Sequence, residues 1–175
     1  MTIRDAAKPA SLRLIDAMRE LPGGVCVMTT GTAPNRTGYT GTAVFSLSID
    51  PERVVISVAK RSSSYSGIRE SGAFAVNVLR SDQQAIADRF AGRGGVKGEA
   101  RYLGAEWVVA PSGVSLLKTA LASVECAVEE IVERHSHAIV IGEVKSITVD
   151  SSSDALVFWR SAYRAMSAAA RIAAE

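Results

Sequence analysis

A chain of 175 residues, 47% hydrophobic and 22% charged, has an ordinary globular composition that excludes disorder as its main state and favours one domain, residues 1–175, over two small cores. The formal net charge of +2 arises from Lys and Arg scattered among Asp and Glu, without the basic cluster that follows a phosphate backbone, which argues against nucleic acid as a partner. Met1 to Pro9 has no apolar signal-like core and no run approaches membrane-spanning length, so no membrane contact and a cytoplasmic location are expected. Cys26 and Cys126 lie in apolar, strand-like runs with no C-x-x-C, and read as small buried hydrophobes in a reducing compartment.

In chain order, Leu12, Ile15, Met18 and Leu21 recur every three residues. Ser11 as a cap and Gly23-Gly24 as a stop predict an amphipathic helix over 11–21. Val25 to Thr30 is a continuous, partly β-branched run, which predicts a strand covered on both faces. A loop over Gly31 to Thr37 follows. Gly38 to Val58 then reads as a binding loop whose first half is crowded with small and hydroxyl residues, where a ligand can approach the backbone; the stretch also supplies two strands with the turn at Asp50-Pro51 between them, the second being the buried run Val54 to Val58.

Lys60 to Tyr65 leads into a short helical pattern at Ser66 to Glu70. A helix start beside two cations can hold a phosphate, but from the stretch alone the favoured reading is a solvated serine-rich cap that binds nothing. Ala73 to Leu79 is a strand, and Ser81 with Gln84 forms a capping box for a helix over Asp82 to Phe90. A glycine loop over Gly92 to Gly98 carries Arg93 and Lys97 but fits neither a dinucleotide fingerprint nor a nucleoside-triphosphate loop. Further strands are predicted at Trp107 to Ala110, Leu121 to Ile131, Ala138 to Ile147 and Leu156 to Trp159, with Gly142 marking a bulge or a close approach by a ligand. An alanine-rich helix is predicted over 163–174. Strands at roughly ten-residue spacing predict a mainly β chain, an antiparallel barrel with peripheral helices.

Conventional catalytic chemistry is thin. No serine sits in a nucleophile elbow, and His135 and His137 are two residues apart with no partner set for zinc. A polar-lined cavity without an evident acid, base or nucleophile suits a protein whose chemistry belongs to a bound cofactor.

Several segments recur in one order. They are Gly24-Val25 into Val27 to Thr30, Gly38-x-Thr40-x-Thr42-Ala43, Ser46 to Pro51, Arg61 to Ser64, and Ser71-Gly72-x-Phe74-x-Val76 to Leu79. Gln83 to Gly92, Ala120 to Ala122 with Cys126, and His137-x-Ile139-x-Ile141-Gly142-x-Val144 complete the set. Together, from about Ala17 to Ala165, they resemble the short-chain flavin reductases, FMN-binding split-barrel proteins that act as reductase components of two-component flavin monooxygenases. The resemblance implies a Greek-key split β-barrel and hydride transfer from NADH or NADPH to FMN or FAD. It also implies reduced flavin leaving for a separate monooxygenase, and a homodimer.

By the same resemblance, Thr40, Thr42, Ala43 and Val44 contact the flavin ring or ribityl chain, and Arg61, Ser62 and Ser64 hold the phosphate. Asn77, Phe90, Arg93 and Lys97 border the pocket, Tyr163 lies at its mouth, and His137 positions the nicotinamide. This chain departs from the family pattern at His135-Ser136, where Gly-Asp is common, and at Val44-Phe45, where many members have a serine followed by an aromatic residue. Two other readings stay open: a flavoprotein with tightly held FMN that reduces a corrinoid, ferric complex or small organic molecule, and a non-catalytic flavin- or haem-binding barrel.

Overall fold

The computed structural model describes residues 12–167. Helix α1 spans Leu14–Met18, followed by strands β1 (Gly23–Gly24), β2 (Cys26–Thr30), β3 (Thr37–Gly41), β4 (Val44–Ile49) and β5 (Glu52–Ala59). Helix α2 is Ser63–Ser71, β6 is Ala73–Val78, and α3 is Gln84–Phe90. The rest is β7 (Trp107–Val109), β8 (Ser115–Leu117), β9 (Ala122–Arg134), β10 (His137–Val149), β11 (Ala155–Trp159) and β12 (Ala162–Met166).

Seven strands form one antiparallel sheet in the order β3-β2-β6-β9-β10-β5-β4. Its two edge strands, β3 and β4, are neighbours in the chain, joined only by Thr42-Ala43. Three Cα steps of about 3.8 Å cannot span a flat seven-stranded sheet, so the sheet curls until its edges approach. It does not close, and the slit between the edges makes this a split barrel.

Period-two alternation distributes β2 between two cores. Cys26 and Met28 point into the barrel with Ile56, Val58, Phe74, Cys126 and Val140, while Val27 packs outward with Leu79, Ala87, Phe90 and Tyr102. All five residues of β2 are therefore buried, as the apolar run predicts. Gly142 lies under Phe74, where a Cβ would come within 2.5 Å of the ring, and the β9–β10 register shifts between Ile141 and Gly142. The predicted bulge is present, with Glu129 of β9 as the residue left out of the pairing, and the Phe74 ring is why position 142 is a glycine.

The second core rests on an aromatic trio. Phe90 meets Tyr102 edge-on at 5.1 Å between centroids and Trp107 at 5.5 Å. Gly38 of β3 lies against this trio, since a Cβ there would stand 2.7 Å from the Phe90 ring and 2.4 Å from the Met28 carbonyl.

Four expectations are corrected. Gly38 to Gly41 is an edge strand rather than a loop, because β2 offers it a full ladder. Tyr163 to Met166 is strand, not helix: Arg160 and Ser161 take positive φ of 47° and 62°, the chain reverses, and Tyr163 pairs with Phe158 at 5.3 Å. The remainder of the predicted terminal helix, from residue 168, lies outside the described residues, as does the Ser11 cap. The N-terminal helix is only five residues long and buries none of them. The reciprocal cap of the α3 region comes from Gln83, whose Oε1 accepts the Arg80 amide at 2.9 Å, rather than from Gln84.

Candidate functional site

Edge strand β3 floors a trough. At its Thr37 end is a cavity of about 680 Å³ lined by Arg36, Thr37, Arg61, Ser63, Lys97 and Arg101 among others. At its Thr42 end is a smaller cavity of about 280 Å³, formed by Val25, Thr40, Gly41, Thr42, Ala91, Arg93, Phe158 and Tyr163. A groove of about 310 Å³ continues from it past the shared Thr42 and Phe158 towards Met18 and Trp159. From Thr37 to Thr42 the strand runs about 17 Å, comparable to an extended flavin mononucleotide.

The two ends differ in electrostatics. Arg36 is neutralised by Glu99, with contacts of 2.5 to 3.0 Å, and stacks 4.0 Å over the Tyr102 ring. Arg61 and Lys97 have no carboxylate partner among the described residues. Among the described residues Arg101 has only carbonyl partners, the Gly38 oxygen and, at 3.3 Å, that of Val96; burial pulls its pKa down. Three cations without acid partners therefore face one cavity.

Helix α2 enters the same end. The Ser62 Oγ accepts the Tyr65 amide at 3.3 Å and donates to the Ala59 carbonyl at 2.8 Å, so Ser62 is the cap itself. Ser63 shares a 2.9 Å hydrogen bond with Thr37. The Ser64 hydroxyl is sealed from solvent with no hydrogen-bond partner. Unpaired cations and the amides of a first helical turn fit a phosphate, while Ser62 and Ser64 do not line this cavity.

At the other end, the Thr40 Oγ1 donates to the Ala87 carbonyl at 2.6 Å, tying strand to helix and leaving its methyl and backbone at the cavity. Phe158 and Tyr163 supply an aromatic wall. That chemistry fits a flat heteroaromatic ring.

The structure thus brings Thr40, Thr42, Arg93 and Tyr163 to one cavity and Arg61 and Lys97 to the other. Ala43 and Val44 line neither: the Ala43 carbonyl accepts the Ser57 amide at 3.2 Å, and Val44 packs on the barrel core. Phe90 is 1% exposed, inside the aromatic trio.

Asn77 is fully buried. Its Nδ2 donates to the Val27 carbonyl at 3.0 Å, and its Oδ1 accepts from the Leu117 amide at 2.7 Å and the Ser123 hydroxyl at 2.9 Å. These bonds hold β2, β8 and β9 to β6. His137 stands exposed at the start of β10, opposite Ala59, with its Nδ1 2.9 Å from the Ser136 hydroxyl, and lines neither cavity.

Sequence reasoning missed Arg36, Arg101, Ser63 and Phe158. Arg101 was recoverable only by its proximity to the glycine loop; its bond to Gly38 crosses 63 residues.

The chain is 33% identical to the actinorhodin polyketide dimerase of Streptomyces coelicolor, over 94% of this chain and 90% of that protein. It is 30% identical to HsaB, the reductase subunit of a flavin-dependent monooxygenase of Rhodococcus jostii, over 80% and 70% respectively. The solved structure of the NADH:FAD oxidoreductase SgcE6 of Streptomyces globisporus in complex with NAD and FAD fragments superimposes with a TM-score of 0.81 at 28% identity, covering 90% of this chain and 93% of that one. The flavin reductase like domain family matches residues 18–167, and with that match and the barrel and trough described above, the chain belongs to this family.

Proposed function

We propose that the protein is an NADH-dependent flavin reductase whose trough along β3 holds FMN or FAD, with the ring at the Thr40–Thr42–Tyr163 end and the phosphate at the Arg61–Lys97–α2 end. The observation that carries this reading is the polarity of the trough: an aromatic-walled cavity at one end of a single edge strand, three cations without acid partners at the other. The relatives named as a monooxygenase reductase subunit and as an NADH:FAD oxidoreductase support the same reaction and a separate monooxygenase as the consumer of reduced flavin.

When bound, the flavin supplies the hydride acceptor, so no protein acid or base is required at the reacting atoms. What the chain contributes is placement. Arg61, Lys97, Arg101 and the first turn of α2 hold the phosphate, and their charge fixes which way round the nucleotide lies. Val25, Phe158 and Tyr163 exclude water from one face of the ring site. Open space beside Thr42 leaves the second face for a nicotinamide, which must approach within about 3 to 3.5 Å for hydride transfer.

The test is oxidation of NADH and NADPH by the purified protein with FMN, FAD and no flavin. Flavin-dependent loss of NADH absorbance is the expected result, and its absence with both flavins removes the assignment.

A homodimer formed through the outer faces of β4 and β10 fits the exposed Phe45, Leu47, Ile49 and Ile139. Sedimentation showing only the 18.4 kDa species at micromolar protein excludes it. The free, buried Cys26 and Cys126 support the cytoplasm, and residues 1–175 act as one unit in this reading. A second reading, with flavin kept as a prosthetic group for another organic acceptor, is favoured by the relative named a polyketide dimerase. Flavin that stays on the protein through gel filtration supports it; flavin that separates excludes it.

A further inference from the structure

Asp88 is not among the residues that the family resemblance assigns to the flavin, yet it sits behind the ring end of the trough. Its Oδ1 is sealed from solvent and lies 2.8 Å from the Arg93 Nη1. The Arg93 guanidinium stands 5.6 Å from the centroid of the Tyr163 ring. The pKa of the Tyr163 phenol is raised, first by burial and then by the Asp88 charge, while Arg93 opposes the shift. One carboxylate of α3 therefore holds a residue of the glycine loop that in turn stands over a residue of β12, and both of those line the apolar cavity.

The loop around Arg93 does little to fix it. Gly92, Gly94 and Gly95 all take positive φ, between 70° and 76°, and Arg93 belongs to no strand or long helix. The Arg93 side chain is 58% exposed, so the ion pair adds little to global stability. Its effect is local: it selects one position for a long, rotatable cation beside the ring site and neutralises that cation there. The phosphate end keeps its charge and the ring end does not, which is the asymmetry that orients a nucleotide.

We propose that Asp88 is a positioning residue of the flavin site, holding Arg93 against Tyr163 so that the two form a fixed, charge-balanced wall for the ring. This rests on the flavin reading above. Riboflavin is the suitable probe because it has no phosphate and reports on the ring end alone.

Riboflavin dissociation constants are measured by fluorescence quenching for the wild type, Asp88→Asn, Arg93→Ala, the double variant and Asp88→Glu, with thermal midpoints recorded alongside. Asp88→Asn is expected to weaken riboflavin about tenfold, the effect of about 1.4 kcal/mol of lost positioning, with a near wild-type midpoint. Arg93→Ala is expected to match it, and the double variant to be no worse than Arg93→Ala. Asp88→Glu keeps the charge and restores part of the affinity, which also serves if Asp88→Asn folds poorly.

Equal affinity in Asp88→Asn and wild type overturns the proposal, as does a double variant in which the two effects multiply. A wild type that binds no riboflavin and oxidises no NADH instead overturns the flavin reading itself.

Discussion

Asn77 separates a site residue from a structural one, and its removal has a calculable cost. Asn77→Ala deletes an amide that makes four contacts inside the protein: Nδ2 to the Val27 carbonyl at 3.0 Å and the Thr29 hydroxyl at 3.4 Å, and Oδ1 to the Leu117 amide at 2.7 Å and the Ser123 hydroxyl at 2.9 Å. The Leu117 amide is left buried without an acceptor, at about 1 to 3 kcal/mol. The Ser123 hydroxyl keeps its 3.4 Å contact to the Leu117 carbonyl and loses less. The vacated side-chain volume and the Val27 carbonyl bring the sum to about 3 to 5 kcal/mol. With a urea slope of about 2 kcal/mol/M, the unfolding midpoint falls by about 1.5 to 2.5 M. Flavin titration of the still-folded variant, in the absence of denaturant, is expected to give a wild-type dissociation constant. A tenfold loss of flavin affinity with an unchanged midpoint refutes this reasoning and returns Asn77 to the pocket.

The phosphate end is tested by Arg61→Ala and Lys97→Ala, each expected to weaken FMN about tenfold while leaving riboflavin unchanged, from the typical strength of a charge-assisted hydrogen bond; fluorescence titration of both flavins reads the difference. Gly38→Ala places a methyl 2.4 Å from the Met28 carbonyl and 2.7 Å from the Phe90 ring, and calorimetry is expected to show about 1 to 3 kcal/mol of destabilisation. Burial pushes the Cys26 thiol from 9.0 up to about 11. The unfolded chain therefore sheds that proton first, so stability is flat below about pH 9 and declines towards pH 11, by about 2 to 3 kcal/mol from this group. Denaturant midpoints across that range check it, and Cys26→Ala is expected to reduce the decline by that amount, leaving the part that comes from Cys126, which burial raises from 9.0 to about 12.

The strands were legible because burial imprints a period on the chain. Val25 to Thr30 shows an unbroken apolar run where both faces are covered, and Gly142 stands where Phe74 leaves no room for a side chain. Tyr163 to Met166 was not legible, since alanine and arginine favour helix locally and the turn before them is made by Arg160 and Ser161, without a glycine to announce it. Thr40 lines the ring-end cavity, and Arg61 and Lys97 line the other. Asn77 misled because a buried polar residue that knits strands together has the same appearance in sequence as one that faces a ligand. Arg101 and Asp88 were invisible for a different reason: what they touch is set by how separate segments meet, not by their neighbours in the chain.

The edge strand β4 carries Phe45, Leu47 and Ile49 in the open, 59%, 52% and 83% exposed, along a sheet border that has no further strand. A bare border of that kind recruits any extended chain of similar pattern. The consequence is one of protein quality: a chain with this border bare is open to edge-to-edge assembly. A lysine at position 47 would blunt the border, so Leu47→Lys should give more recoverable protein on heating and fewer paired copies in solution.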